Sequence, residues 1–368
     1  MLIVTSKQNT PCSEVFPLMN YYNTELKQCQ VVRPVDSRFL LHDTSASGRE
    51  RPWKEKKMAN ELLSAAYEVV DPAKASRLRE CASVLVFNVD PEGEKHLHSM
   101  TSCRVRLCPM CQWRRSLRVY QDMIKTVDYL ATKKKYKYLH LTLTLRNVFE
   151  DDLIDTIDQM LEAINRMTQR AKFKRCIKGW YRALEVTHHT QEFLTYKKSG
   201  RLKRDANGAP IPDPWYKSFH PHFHMLLAVN DSYGHNEYIE AHEWNELWRS
   251  ALRLDYAPDI NIETVKGDFK IAVTEISKYT AKDSDYIIPY DWDLTVDTVR
   301  VLDKALANRR LISYSGCIAE ARRALNLESE ETADLIHVDG EAVSAEVVRQ
   351  VVYFWSSGYN NYIGHIKE

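Results

Sequence analysis

Three groups of residues carry donor atoms at spacings that permit chemistry. The first is Cys103-x4-Cys108-x2-Cys111, within CRVRLCPMCQWRRSLR. A Cys-Pro-x-Cys turn can place two thiolates on one zinc ion, Cys103 can add a third, and Cys81 completes the tetrahedron, with His96 or His98 as alternatives. A closed, thiolate-rich site leaves no open position for substrate, so a structural rather than a catalytic Zn2+ is expected. Such an ion contributes about 10 kcal/mol to ordering a small segment and would fix the arginines that follow it. The second group is His220-Pro-His222-Phe-His224, in SFHPHFHMLLAV. On a strand, His222 and His224 share one face about 7 Å apart, and His220 lies on the same face, where it either ligates or caps the site. Glu185, in GWYRALEVTHH, stands near the end of a second strand that can lie beside the histidines and offer a hard oxygen. Two imidazoles and a carboxylate suit Mn2+ or Mg2+, with positions left for phosphate oxygens. The third group is Glu275, Tyr279 and Lys282 in TEISKYTAKDSDYI, whose i, i+4, i+7 spacing puts them on one helical face. A phenol of pKa about 10 is a poor nucleophile unless a cation or an activated electrophile assists it, and Lys282 or Lys278 supplies that field.

The elements that must position these groups are legible from periodicity. Leu139, Leu141, Leu143 and Leu145 alternate with His140, Thr142 and Thr144, which predicts a half-buried strand over 137–145. Two more strands are expected at 180–187 and 220–229, joined by a hydrophilic insert punctuated by Gly200, Gly208, Pro210, Pro212 and Pro214. Apolar residues at helical spacing predict a basic amphipathic helix from Trp113 to Leu130, a long helix over 153–167, and a helical piece near Met58 to Val70. There is no internal repeat.

Composition bounds the function. The chain of 368 residues is 44% hydrophobic and 27% charged, an ordinary globular balance that excludes a disordered or fibrous protein. No apolar run approaches the ~18 residues needed to cross a bilayer, and MLIVTSKQNTPC lacks the pattern of a secretory signal, so a cytoplasmic protein without a membrane partner is expected. In a reducing compartment a close cysteine cluster favours metal over disulfides. A net charge of +1 hides local asymmetry: Cys103 to Lys137 holds ten Lys/Arg against two acids, Arg166 to Arg182 holds seven and no acid, and Lys197, Lys198, Arg201, Lys203 and Arg204 form a third block. Such density attracts a polyanion, and Arg104, Arg106, Arg114, Arg115 and Arg118 are the candidate DNA contacts.

The order CRVRLCPMCQWRRS, LHLTLTLRN (Leu139 to Asn147), HPHFHMLL (His220 to Leu227) and EISKYTAKDSDY (Glu275 to Tyr286) resembles the rolling-circle plasmid replication initiators with one catalytic tyrosine, members of the HUH endonuclease superfamily. The resemblance spans roughly residues 76–290. It implies an α+β fold: a central antiparallel sheet bearing the histidines, flanking helices, and an N-terminal zinc-binding segment. The corresponding division is an arm at 1–75, a zinc-binding and basic recognition segment at 76–134, a catalytic domain at 135–290 and a helical tail at 291–368. By position, the metal pair falls on His222 and His224, the nucleophile on Tyr279 and the termination carboxylate on Glu275. The implied activity is nicking of single-stranded or hairpin origin DNA through a 5′-phosphotyrosine, leaving a 3′-OH primer for a host polymerase, with a host helicase as a further partner and a homodimer among the compatible assemblies. A transposase or relaxase with the same histidine pair is the rival enzyme, and a non-catalytic zinc-dependent DNA-binding regulator the rival outside catalysis.

Overall fold

The computed structural model describes residues 39–45, 48–235, 237–265, 273, 282–329, 332–338 and 347–365. Within them the chain builds two antiparallel sheets. Helices α1 (Trp53–Val70) and α2 (Pro72–Glu80) lead into β1 (Val84–Val89) and β2 (Lys95–Met100), followed by α3 (Pro109–Lys133). The larger sheet then begins with β3 (Tyr136–Leu143), continues after α4 (Glu150–Thr168) and α5 (Ala171–Cys176) with β4 (Ile177–His188) and β5 (Phe219–Asn230), and is extended after α6 (Ala241–Leu252) by β6 (Ile260–Thr264). Beyond a short turn of 3-10 helix at Asp283–Asp285 come α7 (Trp292–Leu306), β7 (Ile312–Ser315), α8 (Gly316–Ala324), β8 (Arg349–Ser356) and β9 (Asn361–His365). The strand orders are β6-β3-β5-β4-β7 and β2-β1-β8-β9.

Alternation decides which face of the five-stranded sheet holds chemistry. Leu141 lies opposite Met225, Leu143 opposite Phe223, and Phe223 opposite Leu184. All five are fully buried on one face, beneath the stripe Leu153, Ile157, Met160, Ile164 and Met167 of α4. Each such side chain contributes roughly 1.5–3 kcal/mol of burial, which locks the register. A slip of one residue would turn the histidines into this apolar layer. Glu150, Asp151 and Asp152 in the first turn of α4 favour its positive end. The other face carries Ala183, Glu185, His222, His224, His140 and Thr142.

The strands at 137–145, 180–187 and 220–229 are thus found as β3, β4 and β5 with slightly different ends, and the fold is α+β with a central antiparallel sheet. Other expectations need correcting. Residues 291–368 are not a helical tail: β7 extends the larger sheet beside β4, and β8 and β9 complete the smaller one beside β1. β7 pairs with β4 about 130 residues earlier and β8 with β1 at least 260 residues earlier, which local periodicity cannot reveal. Where β7 turns into α8, Gly316 has φ +56°, and a Cβ there would stand 2.1 Å from the Lys178 carbonyl oxygen. Nor is the whole of 1–75 an arm, because α1 buries Leu63, Ala66 and Tyr67 completely.

The arginines after the cysteines also sit differently from expectation. Helix α3 packs between α1 and α8, so Arg114 and Arg115 turn inward while Lys125 and Lys133 stay exposed. Arg114 has no exposed surface; its Nε donates to the Leu335 carbonyl at 2.8 Å, its Nη2 to the Ile336 carbonyl at 2.5 Å, and its guanidinium lies over Trp53 and Trp113. Arg115 is also buried, Arg118 pairs with Asp122 at 3.2 Å, Arg104 reaches the Ala333 carbonyl at 3.5 Å, and Arg106 the Arg309 carbonyl at 3.2 Å. Charge counting cannot reveal that Arg114 and Arg115 are enclosed while Arg104 stays exposed and Arg106 and Arg118 half-buried. Arg114→Ala strands two carbonyls and removes the ring contacts, so it should lower unfolding free energy by about 2–4 kcal/mol in urea titrations. A loss confined to DNA affinity, with unchanged stability, would contradict the structure.

Candidate metal and nucleotidyl-transfer site

The four cysteines converge from separate elements. Cys81 follows α2, Cys103 lies beyond β2, Cys108 caps α3 with its sulfur accepting from the Cys111 N–H, and Cys111 stands in that first turn, where Pro109 loses no hydrogen bond. Sulfur to sulfur, Cys81 is 3.6 Å from Cys108 and 3.6 Å from Cys111, and Cys103 is 3.8 Å from Cys111. None is in a disulfide. A tetrahedron with metal–sulfur bonds of about 2.3 Å has edges of about 3.8 Å, so the cluster has the dimensions of a closed structural zinc site. Burial pushes the Cys108 thiol well above its ordinary pKa, and a bound cation is what would hold it as thiolate. His96 is elsewhere, 2.9 Å from Asp90. Two residues of α1 that the sequence gave no reason to select serve this cluster. Asn60 Oδ1 lies 3.1 Å from Cys108 Sγ, and the buried Lys57 ammonium donates to the carbonyls of Arg79 and Cys81, each at 2.8 Å. Burial lowers the Lys57 pKa while the cysteines oppose that shift.

The second centre lies on the polar face of the large sheet. Glu185 is directly opposite His222 in the β4–β5 ladder, and His224 follows two residues on. Glu185 Oε2 stands 3.4 Å from His222 Nε2 and 3.0 Å from His224 Nε2, and all three donors fall within 4.8 Å of one another. Burial alone would raise the Glu185 pKa; contacts with the two imidazoles and the charge of Lys282 reverse that and hold it well below the usual carboxylate range. His222 Nδ1 is 3.0 Å from the His220 carbonyl, to which it can only donate. With Nδ1 engaged there, Nε2 is the nitrogen that faces the Glu185 carboxylate and could ligate a cation shared with it. The backbone carbonyl on the far nitrogen is the usual support of a metal-bound histidine.

His220 is not in this donor set; its contribution is the carbonyl that orients His222, while its ring bonds the backbone of Leu145. His140 was not selected from sequence. Its Nε2 approaches His224 Nδ1 at 3.4 Å, as does Thr142 Oγ1, and the His140 and His224 rings stack at 5.5 Å. Its alternation with the leucines of β3 was the available signal. Lys282 brings Nζ to 3.3 Å from Glu185 Oε1. Tyr279 and Glu275 lie outside the described residues. The segment after them is pinned to the cysteine lobe: Lys56 pairs with Asp283 at 2.7 Å, and the buried Tyr286 hydroxyl donates to the Leu107 carbonyl at 2.5 Å, one residue from Cys108.

A family model described as Replication protein matches residues 94–363. The chain belongs to this family. It is 35% identical over 352 residues to Protein rep of Bacillus amyloliquefaciens, covering 88% of this chain and 97% of that protein. Protein rep of Lentilactobacillus hilgardii is 33% identical, covering 89% and 99%, and a Replication protein of Staphylococcus aureus is 28% identical, covering 67% and 98%. No solved structure matches the chain. Family membership agrees with the resemblance to single-tyrosine rolling-circle initiators of the HUH superfamily and separates the chain from the transposase, relaxase and non-catalytic readings. No described helix is long and apolar enough to cross a membrane.

Two metal measurements follow from the geometry. Elemental analysis should find one zinc per chain, and Cys111→Ser should lose it together with cooperative thermal unfolding of the cysteine lobe, since a structural zinc contributes on the scale of an entire domain's stability. Glu185→Gln should weaken Mn2+ binding at the second centre at least tenfold by calorimetric titration while the zinc content stays unchanged. Equal Mn2+ affinity would remove Glu185 from the donor set.

Proposed function

We propose that this Replication protein nicks one strand of its plasmid origin with Tyr279 as nucleophile, on a site built from His222, His224 and Glu185. The single observation that carries the reading is the buried Glu185 carboxylate, with both imidazoles on one oxygen and Lys282 near the other. Lys282 is three residues beyond Tyr279, so covalent connectivity alone keeps the two Cα atoms within about 11 Å.

His222, His224 and Glu185 are the residues that would hold Mn2+ or Mg2+; when bound, such an ion polarises a phosphate oxygen and makes phosphorus electrophilic. The protein's own contribution is placement. The His220 carbonyl and the His140 and Thr142 side chains fix the two imidazoles, so their orientation does not have to be reached during the reaction. The Tyr279 oxygen attacks phosphorus in line, the bond from phosphorus to the 3′ oxygen breaks, and the phenolic proton is balanced by protonation of the leaving 3′ oxygen. The products are a 5′-phosphotyrosine and a free 3′-OH, which primes a host polymerase. The phosphodiester's energy is retained for rejoining. Lys282 adds positive charge beside the site, and Glu275, four residues before Tyr279 in the sequence, takes a proton from water when the adduct is hydrolysed at termination. The sequence contains no G-x-x-x-x-G-K-[ST] loop, so unwinding is assigned to a host helicase.

The test is adduct formation. With labelled single-stranded origin DNA and Mn2+, wild type should give a DNA-linked band on a denaturing gel and Tyr279→Phe none. Replacing His222 and His224 together by alanine should abolish cleavage and leave DNA retention intact. An adduct that persists in Tyr279→Phe, or joint loss of cleavage and binding in the double variant, would refute these assignments.

A further inference from the structure

Between β4 and β5 the chain leaves the sheet for residues 189–218, at the end where Glu185 and His222 stand. The segment is an ordered ribbon. His189 donates to the Ser218 carbonyl at 2.8 Å and Lys217 to the His189 carbonyl at 2.9 Å, so the ladder continues past the sheet. Farther out, Leu194 donates to Ile211, Lys203 to Leu194 and Ile211 to Lys203, at 2.8–3.0 Å, giving three short antiparallel runs. It carries six cations, Lys197, Lys198, Arg201, Lys203, Arg204 and Lys217, against Glu192, Asp205 and Asp213. Asp213 is already engaged by His189 at 3.0 Å.

Large aromatic rings gather at the base of this ribbon instead of retreating into the core. Trp215 is 41% exposed and Phe149 46%, and the two are nearly parallel with ring centres 6.2 Å apart. Their backbones are held firmly: Val148 and Phe219 exchange hydrogen bonds at 2.8 and 2.7 Å, and the Asn147 amide donates to the Ser218 hydroxyl at 2.8 Å. Tyr290, 75% exposed, approaches the same rim, its hydroxyl 3.4 Å from Thr190 Oγ1. Glu185 and His222 are each three residues from the sheet end, about 10 Å along the strands.

We infer that Phe149, Trp215 and Tyr290, backed by the cations of the ribbon, form a stacking platform for the unpaired bases that flank the scissile phosphate. Exposed ring faces of this size have little to offer a duplex, whose base faces are covered by their neighbours, and much to offer a single strand, whose bases stack on aromatic side chains irrespective of sequence. The cations track the backbone of the same strand, and the continuity of the ladder leads that strand toward the donor set. This inference rests on the nicking reading and assigns the side chains that hold the unpaired strand beside the site.

The full-length protein is titrated by fluorescence anisotropy against labelled dT20 and against a dA20·dT20 duplex. Phe149→Ala with Trp215→Ala should weaken dT20 binding at least tenfold and change duplex binding less than twofold. Tyr290→Ala, which leaves helix α4 untouched, should weaken dT20 binding several-fold, and Phe149→Tyr with Trp215→Phe should restore wild-type affinity. Melting temperatures within 2 °C of wild type confirm folding; where the double alanine variant falls short of that, Tyr290→Ala decides the matter. Unchanged dT20 affinity, equal losses on both DNAs, or no wild-type binding to dT20 would each overturn the platform. The two readings fail separately. Absence of a Tyr279 adduct with the dT20 effect intact sinks nicking alone, and a normal adduct with dT20 binding indifferent to the rings sinks the platform alone.

Discussion

The contact between the Glu185 carboxylate and His222 Nε2, at 3.4 Å, is the one on which the polar face of the large sheet depends. Both residues are buried, so water cannot screen the contact cheaply, and an ionised carboxylate in such surroundings costs several kcal/mol unless it is compensated. The surrounding protein is arranged around that need. The His220 carbonyl commits His222 Nδ1 to donating, His140 and Thr142 crowd His224 Nδ1, and Lys282 offsets the outer carboxylate oxygen. What results is a set of three donors, Glu185, His222 and His224, whose positions are held by their protein neighbours.

Those positions depend on strand register, and the register depends on the opposite face. Leu141, Leu143, Leu184, Phe223 and Met225 are what prevent β3, β4 and β5 from sliding, so the apolar layer beneath α4 is as necessary to the donor set as the donors themselves. The cysteine lobe acts at longer range. Through the Leu107 carbonyl and Lys56 it grips Tyr286 and Asp283, which flank the turn that carries Lys282 to the carboxylate. The cysteine lobe thereby helps to define where the residues from Lys282 to Tyr286 lie.

Much of this was legible in the sequence because it is written in local periodicity. Leucines alternating with polar residues revealed β3, and the His-Pro-His-Phe-His run revealed that two imidazoles share a face. A Cys-Pro-x-Cys turn pointed to a cysteine cluster, and Cys81 is the fourth residue that joins it. The part that was not legible is non-local. Nothing in residues 104–118 says that Arg114 ends inside the molecule on the carbonyls of Leu335 and Ile336, because burial is decided by helices α1 and α8 packing on either side. The roles of Lys57 and Asn60 depend on a tertiary contact in the same way, and β8 was hidden because its partner β1 is at least 260 residues earlier.

The smaller sheet interleaves β1 and β2 from the front of the chain with β8 and β9 from its rear. During synthesis, β1 therefore emerges from the ribosome with one edge open and waits for most of the polypeptide to be made before its neighbour arrives. Over that interval the exposed edge is an invitation to intermolecular pairing, and the four cysteines beside it lack their finished enclosure. Closing the cysteine cluster early on a nascent chain, as a zinc ion would do, shortens the period of exposure.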